Sequence, residues 1–194
     1  MKYLRGLVHA AMFTSVLALP GCLAEQGTDG SVEQTDEAAT AATYAFQTSA
    51  GGYLSMVLGG GLGGPNTGPG SVALHTDATA VGPWETFTWI GVDPNTNKFA
   101  LLTVNGDYIT AVNGGNMGGP NDSSSPVHTD AAVPGPWEAL RILPQPNGKV
   151  AIQTATGNYL TAVMGGGYGG PNIVPIHTDA TAVGPWETFT LVKP

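Results

Sequence analysis

The stretch GGPNIVPIHTDATAVGPWETF, residues 169–189, decides the fold because the chain contains it three times with small changes. Related copies occupy residues 63–87 and 118–140, and each follows a segment of the type VAIQTATGNYLTAV. An internal repeat of roughly 50 residues is the sequence signature of a repeat architecture. The first question is therefore whether the repetition builds a fold, three copies of a site, or both.

The spacing inside each copy separates fixed segments from a variable loop. The Tyr-to-Asn separation is 13 in every copy (53–66, 108–121 and 159–172), and the His-to-Trp separation is 9 (75–84, 128–137 and 177–186). Only the Asn-to-His separation changes, from 9 to 7 to 5. Length variation is tolerated on solvent-exposed loops, so we expect an exposed loop after each GGPN.

Each copy predicts about four short β-strands. The turns SAGG, VNGD and ATGN connect alternating apolar runs, which is typical of β-hairpins. In the last strand of the third copy, period-2 alternation places Phe189 and Leu191 on one face, and Leu140 and Ile142 share the corresponding face in the second copy. One buried and one solvated face indicate an antiparallel sheet.

Three such units form either an open array or a closed ring. An open array needs distinct polar end units and leaves bare strand edges, but the third unit is almost as regular as the first. Closure therefore predicts an all-β fold with a pseudo-threefold axis, the β-trefoil. We place its repeats at about 44–97, 98–148 and 149–194.

The repeated pattern resembles that of the fascin-like β-trefoil family. In this chain the pattern reads IQTATGNYLTAV, then IHTD, then GPWETFTL, and three matches in register cover residues 44–194. The resemblance implies the trefoil fold. For function it implies two different roles, since such domains occur in actin-bundling proteins and, in bacteria, as accessory domains of secreted carbohydrate-active proteins.

The first 43 residues are predicted to direct export and to act as a tether. Lys2 and Arg5 precede the apolar run LVHAAMFTSVLAL, and LPGC follows with Cys22, the only cysteine. This ending resembles a bacterial lipoprotein signal, which implies a signal peptide at 1–21, lipidation of Cys22 and a protein of the outer membrane or cell surface. The alternative is a secretory signal cut after Ala24. Residues 22–43, acidic and without aromatic residues, predict a flexible tether.

Charge and composition disfavour several classes of function. Residues 44–194 contain nine acidic and four scattered basic residues, a formal net charge of −5. Nucleic-acid binding needs clustered Lys and Arg, and an acidic, exported domain is poorly suited to an acidic actin filament. We expect no enzyme, since the repeated titratable residues come in triplicate whereas active sites are asymmetric. We expect no cofactor and no metal site.

The repeated polar and aromatic residues are the candidate ligand contacts. Each Trp is either a packing residue beneath a hairpin or an exposed platform for sugars, and each His–Asp pair either satisfies a turn or orients a ligand hydroxyl. Each Asn either forms an Asx-turn or contacts ligand beside the variable loop. The candidates are Asn66, His75, Asp77, Trp84, Asn121, His128, Asp130, Trp137, Asn172, His177, Asp179 and Trp186.

These residues predict a non-catalytic module that binds a glycan or cell-surface polysaccharide through up to three equivalent sites between the GGPN and HTD/GPWE segments. The membrane would be contacted through the lipid anchor only. The alternative is a structural or protein-interaction role, either adhesion or, by the fascin analogy, filament binding. Repetition alone does not separate these two functions.

Overall fold

The computed structural model describes residues 41–63, 72–93, 95–118, 125–169 and 173–194. The predicted signal peptide, Cys22 and most of the predicted tether lie outside these ranges. The described part contains twelve β-strands, four from each repeat. They are β1 (Ala42–Gln47), β2 (Tyr53–Met56), β3 (Leu74–Ala78), β4 (Phe87–Asp93), β5 (Lys98–Leu102), β6 (Tyr108–Ala111), β7 (Val127–Ala131), β8 (Arg141–Pro144), β9 (Lys149–Gln153), β10 (Tyr159–Ala162), β11 (Ile176–Ala180) and β12 (Phe189–Val192).

The first and last strands of each repeat close into a six-stranded barrel. Strand β1 pairs antiparallel with both β12 and β4, β4 pairs with β5, and β9 pairs with both β8 and β12. The ring closes between β5 and β8, where Phe99 and Leu140 exchange two backbone hydrogen bonds of 2.8 Å. A closed ring leaves no bare edge on these strands.

The two middle strands of each repeat form a hairpin at one end of the barrel. Strand β2 pairs with β3, β6 with β7, and β10 with β11. The turn between the first two strands of every repeat contains a glycine at φ +92°, namely Gly51, Gly106 and Gly157, a conformation that other residues rarely adopt. A six-stranded barrel with three hairpins is the β-trefoil, so the predicted fold class is confirmed.

The core repeats with the same threefold pattern. Phe87, Leu140 and Phe189 occupy equivalent places and are fully buried. Their neighbours in the core are again equivalent triplets of apolar residues: Phe46, Leu101 and Ile152; Leu54, Ile109 and Leu160; and Leu74, Val127 and Ile176. The alternation predicted for Leu140 and Ile142 is present, since both are buried while Arg141 between them is exposed.

The barrel begins slightly earlier than the sequence suggested. Ala42 and Thr43, assigned to the tether, belong to β1 because they pair with Trp89 and Thr88 of β4. Their short polar and small side chains gave no hydrophobic signal. Within the described residues, no helix is long and apolar enough to cross a membrane.

Candidate functional site

The Trp of each Gly-Pro-Trp-Glu motif lies at the protein surface. The indoles of Trp84, Trp137 and Trp186 are 47%, 46% and 47% exposed. Pro83–Glu85 and Pro185–Glu187 are short 3-10 helices, and the equivalent residues of the second repeat form a turn. About half of each side chain is exposed, so the indoles do not lie in the buried core, and their role as a platform for sugars stays a prediction. The turn lies outside the strand, so the side chain follows the turn rather than the alternation of the barrel.

The adjacent Glu of the same motif is buried and fixes the turn. In the second repeat, Glu138 Oε2 accepts a hydrogen bond of 2.7 Å from the Gly135 amide, and Oε1 accepts one of 2.6 Å from Thr110 Oγ1. Glu85 and Glu187 make the equivalent bonds in the other repeats. Charge-assisted hydrogen bonds are about twice as strong as neutral ones, so each carboxylate holds its neighbouring indole in a defined place.

Each indole borders the hairpin turn of the following repeat. A Cβ atom built on Gly114 would lie 3.4 Å from Trp137 Cδ1 and 3.5 Å from Ala155 Cβ, so that these groups surround one glycine. Gly59 and Gly165 take the same place beside Trp84 and Trp186. The three junctions are closed by equivalent backbone hydrogen bonds: Asn105 to Gly59, Thr156 to Gly114, and Ala50 to Gly165.

The glycine-rich loop of each repeat also pairs with the HTD strand of the next repeat. The backbone of Leu62 exchanges hydrogen bonds with Thr129, where the Leu62 amide donates to Oγ1 at 3.1 Å and the Thr129 amide donates to the Leu62 carbonyl at 2.6 Å. Met117 pairs with Thr178 and Tyr168 pairs with Thr76 in the same way. These three threonines, which we call the seam threonines, are fully buried.

The His and Asp of each HTD segment lie on the outer face, opposite the buried residue that precedes the His and the buried threonine between them. His75 Nδ1 lies 3.8 Å from Asp77 Oδ1, and His128 Nδ1 lies 3.9 Å from Asp130 Oδ1. The first glycine of each GGPN sequence in the preceding repeat approaches these pairs directly. A Cβ on Gly118 would lie 2.6 Å from His177 Cβ, and one on Gly63 would lie 2.6 Å from Asp130 Oδ1.

Residues of two repeats therefore border each glycine loop, with the Trp beside its first glycines and the His and Asp beside a glycine farther along. One repeat supplies its glycine loop and Trp, and the next supplies its hairpin turn, its His and its Asp. His177, Asp179 and the other His–Asp pairs lie beside loops, but Asn66, Asn121 and Asn172 lie outside the described residues. In the described part of the chain, no group of three His, Cys, Asp or Glu side chains is arranged to hold a metal ion.

The seam threonines are the residues that sequence reasoning missed. Each stands between the His and Asp that were considered as site residues, and alternation places it on the same side as the buried Leu74, Val127 or Ile176. A small polar residue repeated on a buried face signals a side chain with a backbone partner. Its partner was not apparent because it belongs to another repeat.

Comparisons with known proteins address the fold. No family model matches the sequence, and no curated protein matches it. Among solved structures, the designed threefold-symmetric protein ThreeFoil matches with a TM-score of 0.58 at 13% identity, covering 78% of this chain and 99% of that one. The Rhizoctonia solani agglutinin matches at 0.56 and 17%, covering 79% and 96%.

A third match is the ricin B-like lectin of Macrolepiota procera, solved in complex with lactose. Its TM-score is 0.53 at 18% identity, and the match covers 78% of this chain and 95% of the lectin. Identities this low carry no information on the ligand. Together with the closed barrel and its three hairpins, these likenesses identify the chain as a β-trefoil protein.

Proposed function

We propose that this protein is a non-catalytic carbohydrate-binding module with three equivalent sites, each centred on one of the exposed tryptophans. The observation that carries the proposal is the presentation of Trp84, Trp137 and Trp186 in the same half-exposed setting. An indole offers a flat apolar face at low cost in conformational entropy, which suits stacking on the apolar face of a sugar ring. Trp89, by contrast, packs against Tyr44, Phe46 and Phe99.

Polar groups around each loop are available to bind sugar hydroxyls. The side chains of Asp77 and Asp130 are 51% and 38% exposed, so their carboxylates can accept hydrogen bonds from a ligand. The glycine loops bring backbone groups close to them without intervening side chains. A few directional polar groups beside an apolar surface are the usual composition of a small-molecule site.

Three weak sites on one module gain affinity when a polymer occupies more than one of them. A polysaccharide or a glycan-covered cell surface would provide such a ligand. Our inference that the chain is exported, lipidated at Cys22 and tethered outside the cell fits this use. The fascin-like repeat pattern and the lectins among the similar structures support a binding role, and the triplicate arrangement of His, Asp and Glu does not provide the asymmetric centre of an enzyme.

The proposal is tested by applying the full-length protein to a glycan array. Variants with one, two or all three of the exposed tryptophans changed to Ala are compared with the wild type, and Trp89→Phe serves as a control that keeps an aromatic ring in the barrel. We expect binding to fall stepwise with each tryptophan lost, while Trp89→Phe retains it. Failure of the folded wild type to bind any glycan would refute the proposal and favour adhesion through protein contacts.

A further inference from the structure

One position in the barrel differs strongly among the three repeats. It is a cross-strand pair between the first and last strands of each repeat, and its side chains are half-buried or exposed. The three equivalent pairs are Thr43–Thr88, Lys98–Arg141 and Lys149–Thr190. The second follows from the Phe99–Leu140 bridge, since one step along an antiparallel register places Lys98 opposite Arg141. The second repeat alone therefore places two cations together.

This arrangement places two cations side by side, with Asp93 opposite Lys98 on β4 and the neutral Gln153 opposite Arg141 on β9. Like charges directly opposite each other on neighbouring strands destabilise a sheet, and residues that break a local rule are expected at functional sites. Lys98 and Arg141 are also two of only four basic residues between 44 and 194. An acidic domain that places half of its cations in one cross-strand pair creates a local positive site.

The two cations line a cleft of about 230 Å³. Ala139, Gln153, Thr154 and Ala155 are also on its wall. Thr86 and Thr188 stand where the second repeat has Ala139, so the smaller side chain leaves more room in this cleft. Gln153 lies opposite Arg141 on the neighbouring strand β9 and adds an amide beside the guanidinium.

The charges near the cleft leave the guanidinium available. Lys98 lies opposite Asp93, whose pKa is lowered by the hydrogen bond from Thr96, by that from the Asn95 amide, and to a lesser extent by the charge of Lys98. Within the described ranges, no ion pair shorter than 4 Å includes Lys98 or Arg141. Arg141 is exposed, and a guanidinium presents a planar fork that matches a carboxylate.

The cleft adjoins the exposed indole of the same repeat. Ala155 lines the cleft, and its Cβ and Trp137 Cδ1 both lie about 3.5 Å from the Cβ position of Gly114. Ala139 is also only two residues beyond Trp137 in sequence. A ligand stacked on Trp137 can therefore extend toward Arg141 without crossing the barrel.

We propose that the cleft between β5, β8 and β9 binds the carboxylate of an acidic saccharide, such as a uronic-acid oligomer, whose neighbouring sugar stacks on Trp137. This inference rests on the proposed glycan-binding function. It makes the second of the three sites different from the other two, which have Thr88 and Thr190 in the place of Arg141. The module would then recognise polymers in which uronic acids occur among other sugars.

The test measures binding of trigalacturonate and of its fully methyl-esterified, neutral form to the full-length protein by calorimetry. The variants are Arg141→Thr and Lys98→Thr/Arg141→Thr, which introduce the residues of the other repeats and should preserve the fold, and Trp137→Ala. Lys149→Thr is the matched control, because it removes the equivalent lysine from a pair without arginine. We expect the wild type and the control to bind the acid about ten-fold more tightly than the ester, with the preference weakening in high salt.

We expect Arg141→Thr and the double variant to lose the preference and Trp137→Ala to weaken binding of both forms. Equal affinity of the wild type for acid and ester would overturn the inference while leaving the proposed function intact. Equal losses from Lys149→Thr and Arg141→Thr would also overturn it, because they would indicate non-specific attraction. Absence of binding to both trigalacturonate forms overturns it too, and the glycan array then decides separately whether the proposed function survives.

Discussion

Buried and outward-facing residues of the same repeated motifs have different roles in this protein. We call the buried glutamates of the Gly-Pro-Trp-Glu motifs and the seam threonines the interior joints, and the outward-facing Trp, His and Asp side chains the outer rim. Glu138 and Trp137 are adjacent in sequence, but the carboxylate is 7% exposed whereas the indole is 46% exposed. In the HTD segment, Thr129 is fully buried between His128 and Asp130, which face outward. Repetition therefore marks both structural and candidate ligand-binding residues, and burial separates them.

The interior joints also explain why the trefoil closes. Each seam threonine ties the loop of one repeat to the strand of the next, and the third loop returns to Thr76 of the first repeat. These hydrogen bonds form a ring that no single repeat can complete alone. The rim makes no comparable demand on the fold, so its side chains can serve a ligand.

The largest loss of stability is expected at a buried Glu of the Gly-Pro-Trp-Glu motif. Glu138→Ala removes two charge-assisted hydrogen bonds and leaves Thr110 Oγ1 and the Gly135 amide without their partner. We expect a loss of about 3 kcal/mol in the free energy of unfolding, measured in urea. Glu138→Gln, which keeps an acceptor, should lose less. A loss below about 1 kcal/mol for the Ala variant would show that the joint is not structural.

The next effect concerns the close approach of a glycine loop to the neighbouring repeat. Gly118 has a φ of +144°, and Gly118→Ala would place a methyl group 2.6 Å from His177 Cβ. We expect this variant to lose about 2 kcal/mol in the free energy of unfolding, measured by thermal or urea unfolding. Gly157→Ala is the matched control, since it has positive φ but no atom within 4 Å, and should lose about 1 kcal/mol. Equal losses would mean that only the backbone conformation matters.

A smaller loss is expected at a seam threonine. Thr178→Val keeps the shape but removes the hydroxyl that accepts a hydrogen bond from the Met117 amide and donates one to its carbonyl. We expect a loss of about 1.5 kcal/mol by urea unfolding. The control is Thr181→Val, at an exposed threonine of the same repeat, and it should change the free energy of unfolding little. Similar losses for both variants would show that the seam hydrogen bonds do not stabilise the closed trefoil.

The smallest effect on stability is expected at the rim. Trp137→Ala removes a half-exposed side chain, so we expect a change of about 1 kcal/mol in the free energy of unfolding together with loss of glycan binding at the second site. A stability loss as large as that of Glu138→Ala would show that the indole is mainly a packing residue. Calorimetric melting and binding on the same samples separate the two outcomes.

Sequence reasoning reached the fold because its signals were local and repeated. The hairpin turns, the inward alternation of Leu140 and Ile142 and the equal third repeat together required twelve strands in a closed ring. The sequence does not decide whether Trp137 is exposed, since the turn that carries it follows neither helical nor strand periodicity. The pairing of Leu62 with Thr129 was not apparent, because a contact between repeats depends on closure and leaves no local pattern.

The pair formed by Lys98 and Arg141 shows a second limit of prediction from the sequence. In the sequence, Arg141 and Lys98 are two scattered basic residues, since they are 43 positions apart. Their juxtaposition requires the register between β5 and β8, which the single Phe99–Leu140 bridge supplies. In a repeat protein, the departures from the repeat are therefore as informative as the repeat itself.

Glycan contact by the exposed tryptophans is measured by following the four indole N–H signals in a ¹H–¹⁵N correlation spectrum while the tightest ligand from the glycan array is added. Trp89, packed among aromatic rings with its Nε1 buried, is the internal control. We predict that the signals of Trp84, Trp137 and Trp186 shift in a saturable way while that of Trp89 stays in place. Saturable binding that leaves the signals of all three exposed tryptophans unchanged would show that these side chains do not contact the glycan.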